Sequence, residues 1–237
     1  MTGNSNVHLE ILDCTSFQSV QAFLERWEQR PIKMVDILIN NAGSLSGTVS
    51  LTRDNFEQTY QSNHLAHVLL THELLDRGHI SPTGRIVSLS SGGLYLSNAL
   101  NENNATGRDI IARYDAEIGR KISPDDMIQL YVRTKLSQAM WTMALQKRLS
   151  MCKRWGDITA HCCHPDTFGV SSEQGAVTPV WLATALEPAS EELRGRYWDR
   201  KQWQWLAPWA LDEQRQDLLW DMWCRDAGAP LLFRDTV

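Results

Sequence analysis

The sequence predicts an α/β fold: a parallel sheet covered by helices on both faces. Three observations predict it. Short apolar runs recur at 6–13, 34–39, 85–89 and 158–162. Stretches of helical period separate them. Turn-forming sequences, Asn40-Asn41-Ala42-Gly43, Ser90-Ser91 and His164-Pro165-Asp166-Thr167, follow three of the runs. Strands alternating with helices connect by right-handed crossovers, which bury both sheet faces.

The elements follow in order. Val7, Leu9 and Ile11 alternate on one face, which predicts a strand over 6–13. Thr15 or Ser16 can cap the next helix, whose apolar stripe is Val20, Phe23, Leu24 and Trp27. A second strand is predicted over 34–39. A long helix is predicted from Thr52 to about Leu75, carrying Phe56, Tyr60, Leu65, Val68 and Leu69. Gly78, Pro82 and Gly84 break the chain before a third strand over 85–89. The polar stretch 92–123 reads as loop around its Asn-rich centre, with a short helix over 110–118. Pro124 opens an amphipathic helix to about Leu149. A fourth strand covers 158–162, a helix 178–187, and a last helix 211–225.

Composition bounds the function. The 237 residues suit one domain, with a Trp-rich C-terminal region, about 178–237, as a substrate pocket, a partner surface or core packing. Seven of the ten tryptophans lie from Trp181 onward. A net charge of −5 gives no general attraction to nucleic acid or anionic membrane. No apolar run reaches membrane-spanning length and no charged-then-apolar leader opens the chain. Five scattered cysteines without a C-x-x-C pair suit reduced thiols, so a cytoplasmic location is expected. His161 and His164 are three apart on a strand and face opposite sides, so no metal site is expected there.

Tyr131 and Lys135 are four apart and share a helix face. An ammonium near a phenol favours its ionised form, and a phenol so tuned exchanges protons with a substrate oxygen. Tyr197 and Lys201 match the same spacing, so setting decides between them. The Tyr131 helix follows the strand that ends in Ser90-Ser91, and its first turn can face the crevice beyond the strand ends, where α/β sheets bind ligands. Tyr197 has no such strand before it. The Ser91 hydroxyl can then polarise a carbonyl, with Ser90 as its alternative. His164, at a strand's C-terminal end, is a candidate for substrate contact, as is Ser90.

These residues together carry a resemblance to the short-chain dehydrogenase/reductase family: Asp13, Asn40-Asn41-Ala42-Gly43, Asn63, Ser90-Ser91, Tyr131-x-x-x-Lys135, and Pro165 with Thr167. It covers most of 6–200 in the right order and implies a Rossmann-like three-layer fold. It further implies Ser91 as the catalytic serine, Tyr131 as acid/base, Lys135 as its partner and a contact of the nicotinamide ribose, and Asn63 as the holder of a water. Asn63 can equally serve helix packing, and Asp13 can equally cap its helix. Asp13 would lie near an adenine ring, and Asn41, Ala42, Gly43, Pro165 and Thr167 would line an NADP or NAD cofactor. The Arg-Thr-Lys variant and the long gap from Ser91 to Tyr131 resemble the fungal and retinol-dehydrogenase-like branches.

Two departures qualify these implications. No glycine-rich turn precedes Gly43, so the family's first β-α-β unit, with its phosphate cradle, is missing, and the sheet should be reduced. Asp166 stands where the family usually has Gly. In the reduced sheet, 6–13 should slide inward to pair with 34–39, or a homodimer should cover the exposed edge. Three functions follow: an oxidoreductase interconverting an alcohol and a carbonyl on a small apolar substrate; a cofactor-independent dehydratase, isomerase, epimerase or cyclase, with fungal natural-product biosynthesis as a home; or a silent, partner-binding remnant.

Overall fold

A computed structural model describes residues 3–165 and 171–233. Its strands are β1 (Val35–Asn40), β2 (Ile80–Leu89), β3 (Thr159–His164), β4 (Tyr197–Asp199) and β5 (Gln202–Gln204). They form one sheet in that order. The first four run parallel, and β5 turns back antiparallel on β4. With its helices this is the expected Rossmann-like α/β architecture with a small, mostly parallel sheet. The β4–β5 hairpin was not foreseen in the Trp-rich stretch. Its turn residues Arg200 and Lys201 take φ of 49° and 61°, so Tyr197 and Lys201 share no helix face.

Helix α1 (Phe17–Glu28) starts at Ser16, whose side chain accepts from the Ser19 amide. Such a cap is worth about 1 kcal/mol. Val20 and Leu24 are its buried stripe. The long helix expected from Thr52 begins later. Thr52 pairs by its hydroxyl with Gln61, Leu51 bridges to Glu57, and the buried Glu57 carboxylate caps α2 (Gln58–Tyr60) through the Thr59 and Tyr60 amides. A π-helical turn, Gln61–Leu65, then leads into α3 (Ala66–Asp76). Strand β2 begins earlier than 85 and absorbs Pro82 and Gly84 in a register shift against Val35–Ile37. A 3-10 turn (Gly92–Leu96) and α4 (Arg108–Arg113) lie in the polar stretch.

Helix α5 (Pro124–Met151) is the structural spine. Ser123 caps it, Pro124 opens it, and most of its residues are buried. It packs on β3, on the 3-10 turn, and on α8 (Glu213–Ala227). Short helices α6 (Ser172–Gly175) and α7 (Val177–Thr184) precede β4. Trp220 and Trp223 of α8 are buried, with the Trp141 and Trp220 rings stacked 6.5 Å apart and Trp223 4.7 Å from the His64 ring. These two C-terminal tryptophans are core. Trp203 and Trp205 remain partly exposed.

One expectation fails. Residues 6–13 form no strand and do not pair with β1. They run extended along α1, where Arg26 donates to the Ile11 carbonyl at 2.6 Å and Ser19 Oγ accepts from the Asp13 amide at 2.9 Å. Side chains thus satisfy backbone groups that a ladder would have used. Leu9 is 92% exposed. Alternation favours a strand only where a neighbour accepts it. Among the described residues no strand covers the outer edge of β1.

Candidate active site

The chain leaves β1 into Asn41, Ala42 and Gly43, all exposed. A side chain at Gly43 would begin 3.1 Å from Asn63 Oδ1 and 3.5 Å from Lys135 Nζ. The absence of a Cβ lets this loop close on both. Asn63 lies in the π-helical turn and ties three elements. Its Oδ1 accepts from the Ser44 amide at 2.7 Å, and its Nδ2 donates to the Ser44 carbonyl and to Thr134 Oγ1. Its backbone carbonyl accepts from Gln138 Nε2 at 2.7 Å. π-turns of this kind recur at functional sites.

Ser91 closes β2. Its hydroxyl caps the following turn through the Gly93 amide at 3.1 Å. A Cβ on Gly93 would lie 3.2 Å from Val132, so this turn sits directly against the first turns of α5. That contact brings Ser91 to Tyr131. Burial pushes the half-buried phenol above its ordinary pKa, and the hydrogen bond with the Ser91 side chain opposes the rise. Lys135 Nζ lies 5.5 Å over the Tyr131 ring and donates to the Leu89 carbonyl at 2.8 Å. It faces the ring rather than the hydroxyl, so the expected lowering of the phenol by the ammonium is replaced by a rise due to burial. Burial lowers the Lys135 pKa to about 8.

Ser90 is buried and donates to the Lys135 backbone carbonyl at 2.6 Å, which fixes the helix rather than presenting a hydroxyl to the crevice. The His164 ring lies beside Gly92, 3.6 Å from where a Cβ there would be, and its buried Nδ1 has no partner among the described residues. It therefore flanks the Ser91 turn. Asp13 is exposed and its carboxylate accepts from the Thr15 amide and hydroxyl, a local turn leading into the Ser16 cap. Pro165 is half-buried after β3, and Thr167 and Asp166 lie outside the described residues.

Sequence reading passed over two supports. Thr134 and Gln138 clamp Asn63, one helical turn apart. Arg133 is buried and forks onto both Asp109 oxygens at 2.8 and 3.0 Å, joining α5 to α4. The spacing of Thr134 and Gln138 on one face was a visible signal; the Arg133–Asp109 pairing across 24 residues was not.

A dinucleotide fits this set at one end. Exposed loop 41–43, Lys135 and Tyr131 suit the nicotinamide and its ribose. At the phosphate end, no glycine-rich turn joins a strand to a helix in the described residues. Among those residues there is also no group of three or more His, Cys, Asp or Glu placed to hold a metal ion.

A family model for short chain dehydrogenase matches residues 2–100. Mouse retinol dehydrogenase 11 is 30% identical over 98% of this chain and 73% of its own. Bovine retinol dehydrogenase 12 is 30% identical over 96% of this chain and 72% of its own. Among solved structures, an uncharacterized protein from Mycobacterium paratuberculosis superposes with a TM-score of 0.74, 24% identity, and coverage of 97% of this chain and 80% of that one. With a relative at this identity spanning nearly the whole chain, the protein belongs to the short chain dehydrogenase family.

Proposed function

We propose that the protein is an oxidoreductase that interconverts an alcohol and a carbonyl on a small apolar substrate. The carrying observation is the meeting of Ser91, Tyr131 and Lys135 at the C-terminal end of the sheet. Ser91 polarises the substrate oxygen. Tyr131 passes the proton to or from it, and the Lys135 ammonium beneath the ring supports the phenolate. Asn63 holds loop 41–43 against Lys135, and His164 contacts substrate beside Ser91. NADP or NAD, when bound, supplies the hydride. Asn41, Ala42, Gly43, Lys135, Pro165 and Thr167 would hold its nicotinamide end, and Asp13 its adenine end. The names of the retinol dehydrogenase relatives support an apolar alcohol as substrate. A cytoplasmic location belongs to the same reading, supported by five free cysteines.

A second reading rests on the lack of a glycine-rich turn from strand to helix among the described residues: the same three residues run a dehydration or isomerisation without cofactor. Titrating the chain with NADPH and NADH by calorimetry separates the two. Binding below millimolar, with turnover lost in Tyr131→Phe, supports the first. Turnover without cofactor, also lost in Tyr131→Phe, selects the second.

The same proposal includes a homodimer through the outer edge of β1. Met34, Ile37 and Ile39 are exposed along it, and an uncovered parallel strand is rare. Sedimentation of the purified chain at several concentrations tests it; a monomer throughout rejects it.

A further inference from the structure

A cavity lies away from Tyr131. A cleft of about 860 Å³ opens at the other end of α5, between Arg148 and Met151, helix α8, and the segment 228–233. Seventeen residues of helix separate Tyr131 from Arg148, about 25 Å. Small-molecule sites have this size, with mostly apolar walls and a few placed polar groups. Met151, Trp220, Leu231 and Phe233 supply the apolar lining.

The cations at the mouth are already paired, Arg225 with Asp226 at 3.8 Å. Arg148 binds Asp217 at 2.7 Å and lies 4.2 Å over the Trp220 ring, and Lys147 binds Glu213 at 3.0 Å. An anionic head group would have to break one of these pairs. The polar group left over is on the floor. His72 is fully buried between the Trp141 and Trp220 rings, at 6.2 and 5.1 Å. Its Nδ1 meets the Pro230 carbonyl at 3.1 Å. A carbonyl only accepts, so Nδ1 carries the hydrogen and Nε2 presents a lone pair. That Nε2 has no protein partner. Burial lowers the His72 pKa to about 4, which keeps the ring neutral and Nε2 an acceptor at physiological pH.

We propose that this cleft is a second ligand site, taking an apolar molecule with one hydroxyl that donates to His72 Nε2 once the wall over the buried ring shifts outward. The aromatic and aliphatic walls take the hydrocarbon, the paired charges disfavour an acid, and the tautomer requires a donor. The site stands apart from the Tyr131 crevice and does not depend on the reaction proposed there.

Equilibrium dialysis of the full chain with farnesol and with its methyl ether tests it. Farnesol should bind the cleft about five- to tenfold tighter than the ether, the ratio for one buried hydrogen bond. His72→Phe should erase that preference by weakening farnesol alone. Met151→Trp, at the exposed rim, and Ala229→Trp, on the wall, should each weaken both probes at least tenfold. Absence of farnesol binding overturns the proposal, as does equal affinity for the two probes. Binding that both Trp variants leave unchanged places the alcohol elsewhere, the Tyr131 crevice included, and overturns it too.

Discussion

Lys135 keeps its charge where charge is costly. It is 4% exposed, and its pKa of about 8 lies below the ordinary 10.5. Between those values the folded chain has released a proton that the unfolded chain retains, so stability should rise with pH from about 8 to 10.5. Lys135→Met should therefore stabilise the fold at pH 7, by up to about 3 kcal/mol, while weakening catalysis. Urea denaturation at pH 7 and pH 10 checks both directions. If the ammonium supports Tyr131, turnover should decline above pH 8, and Lys135→Arg should push that limb upward in a pH–rate profile. Tyr131→Phe should lower kcat/KM by about 10²–10⁴-fold. The pair was legible because helical spacing puts residues four apart on one face. The relation between them was not: spacing does not say that Nζ turns to the Leu89 carbonyl and sits over the ring. Ser90 shows a similar limit, since two adjacent hydroxyls at a strand end look alike until one is buried under α5.

At the scale of elements, α5 gathers the site and α4 steadies it. Arg133 is buried and Asp109 largely so, so neutralising Asp109 leaves a buried cation with amide acceptors, Asn104 among them, but no counter-charge. Asp109→Asn should cost about 3 kcal/mol in urea denaturation. Helices α1, α5 and α8 and strands β1 and β3 were legible to within a few residues, because caps, apolar stripes and Pro124 mark their limits. The helix from Thr52 was not. Its true start depends on Glu57, a residue whose cap forms only because Leu51 doubles back on it. The π-turn at Asn63 was equally hidden, because one extra residue in a turn leaves the apolar pattern almost unchanged. The 6–13 stretch shows the reverse error: a sound pattern with no strand beside it.

Across the whole molecule, four histidines are buried as neutral rings. Burial lowers His67 and His161 to about 3 and His72 to about 4, and His64 well below its ordinary 6.5. The unfolded chain takes up protons below pH 6.5 that the folded chain refuses. Their contribution is complete above 6.5 and is lost as pH falls toward 4 and 3. At pH 5 His67, His72 and His161 each cost about 2 kcal/mol, so thermal scans from pH 7 to pH 5 should show a steep loss of Tm. A flat profile would mean that these rings are wetter than the structure has them. The sheet has two unlike ends. One is the six-residue β1, with Ile37 and Ile39 exposed; the other is β5, three residues folded back in a tight hairpin. Head-to-tail stacking of copies would have to match a long rail to a short one. Rail against like rail, related by a twofold axis, consumes both bare ends at once. Only the three-residue β5 edges would then remain, too short to pair, so the proposed association would halt at a pair instead of running on into fibres.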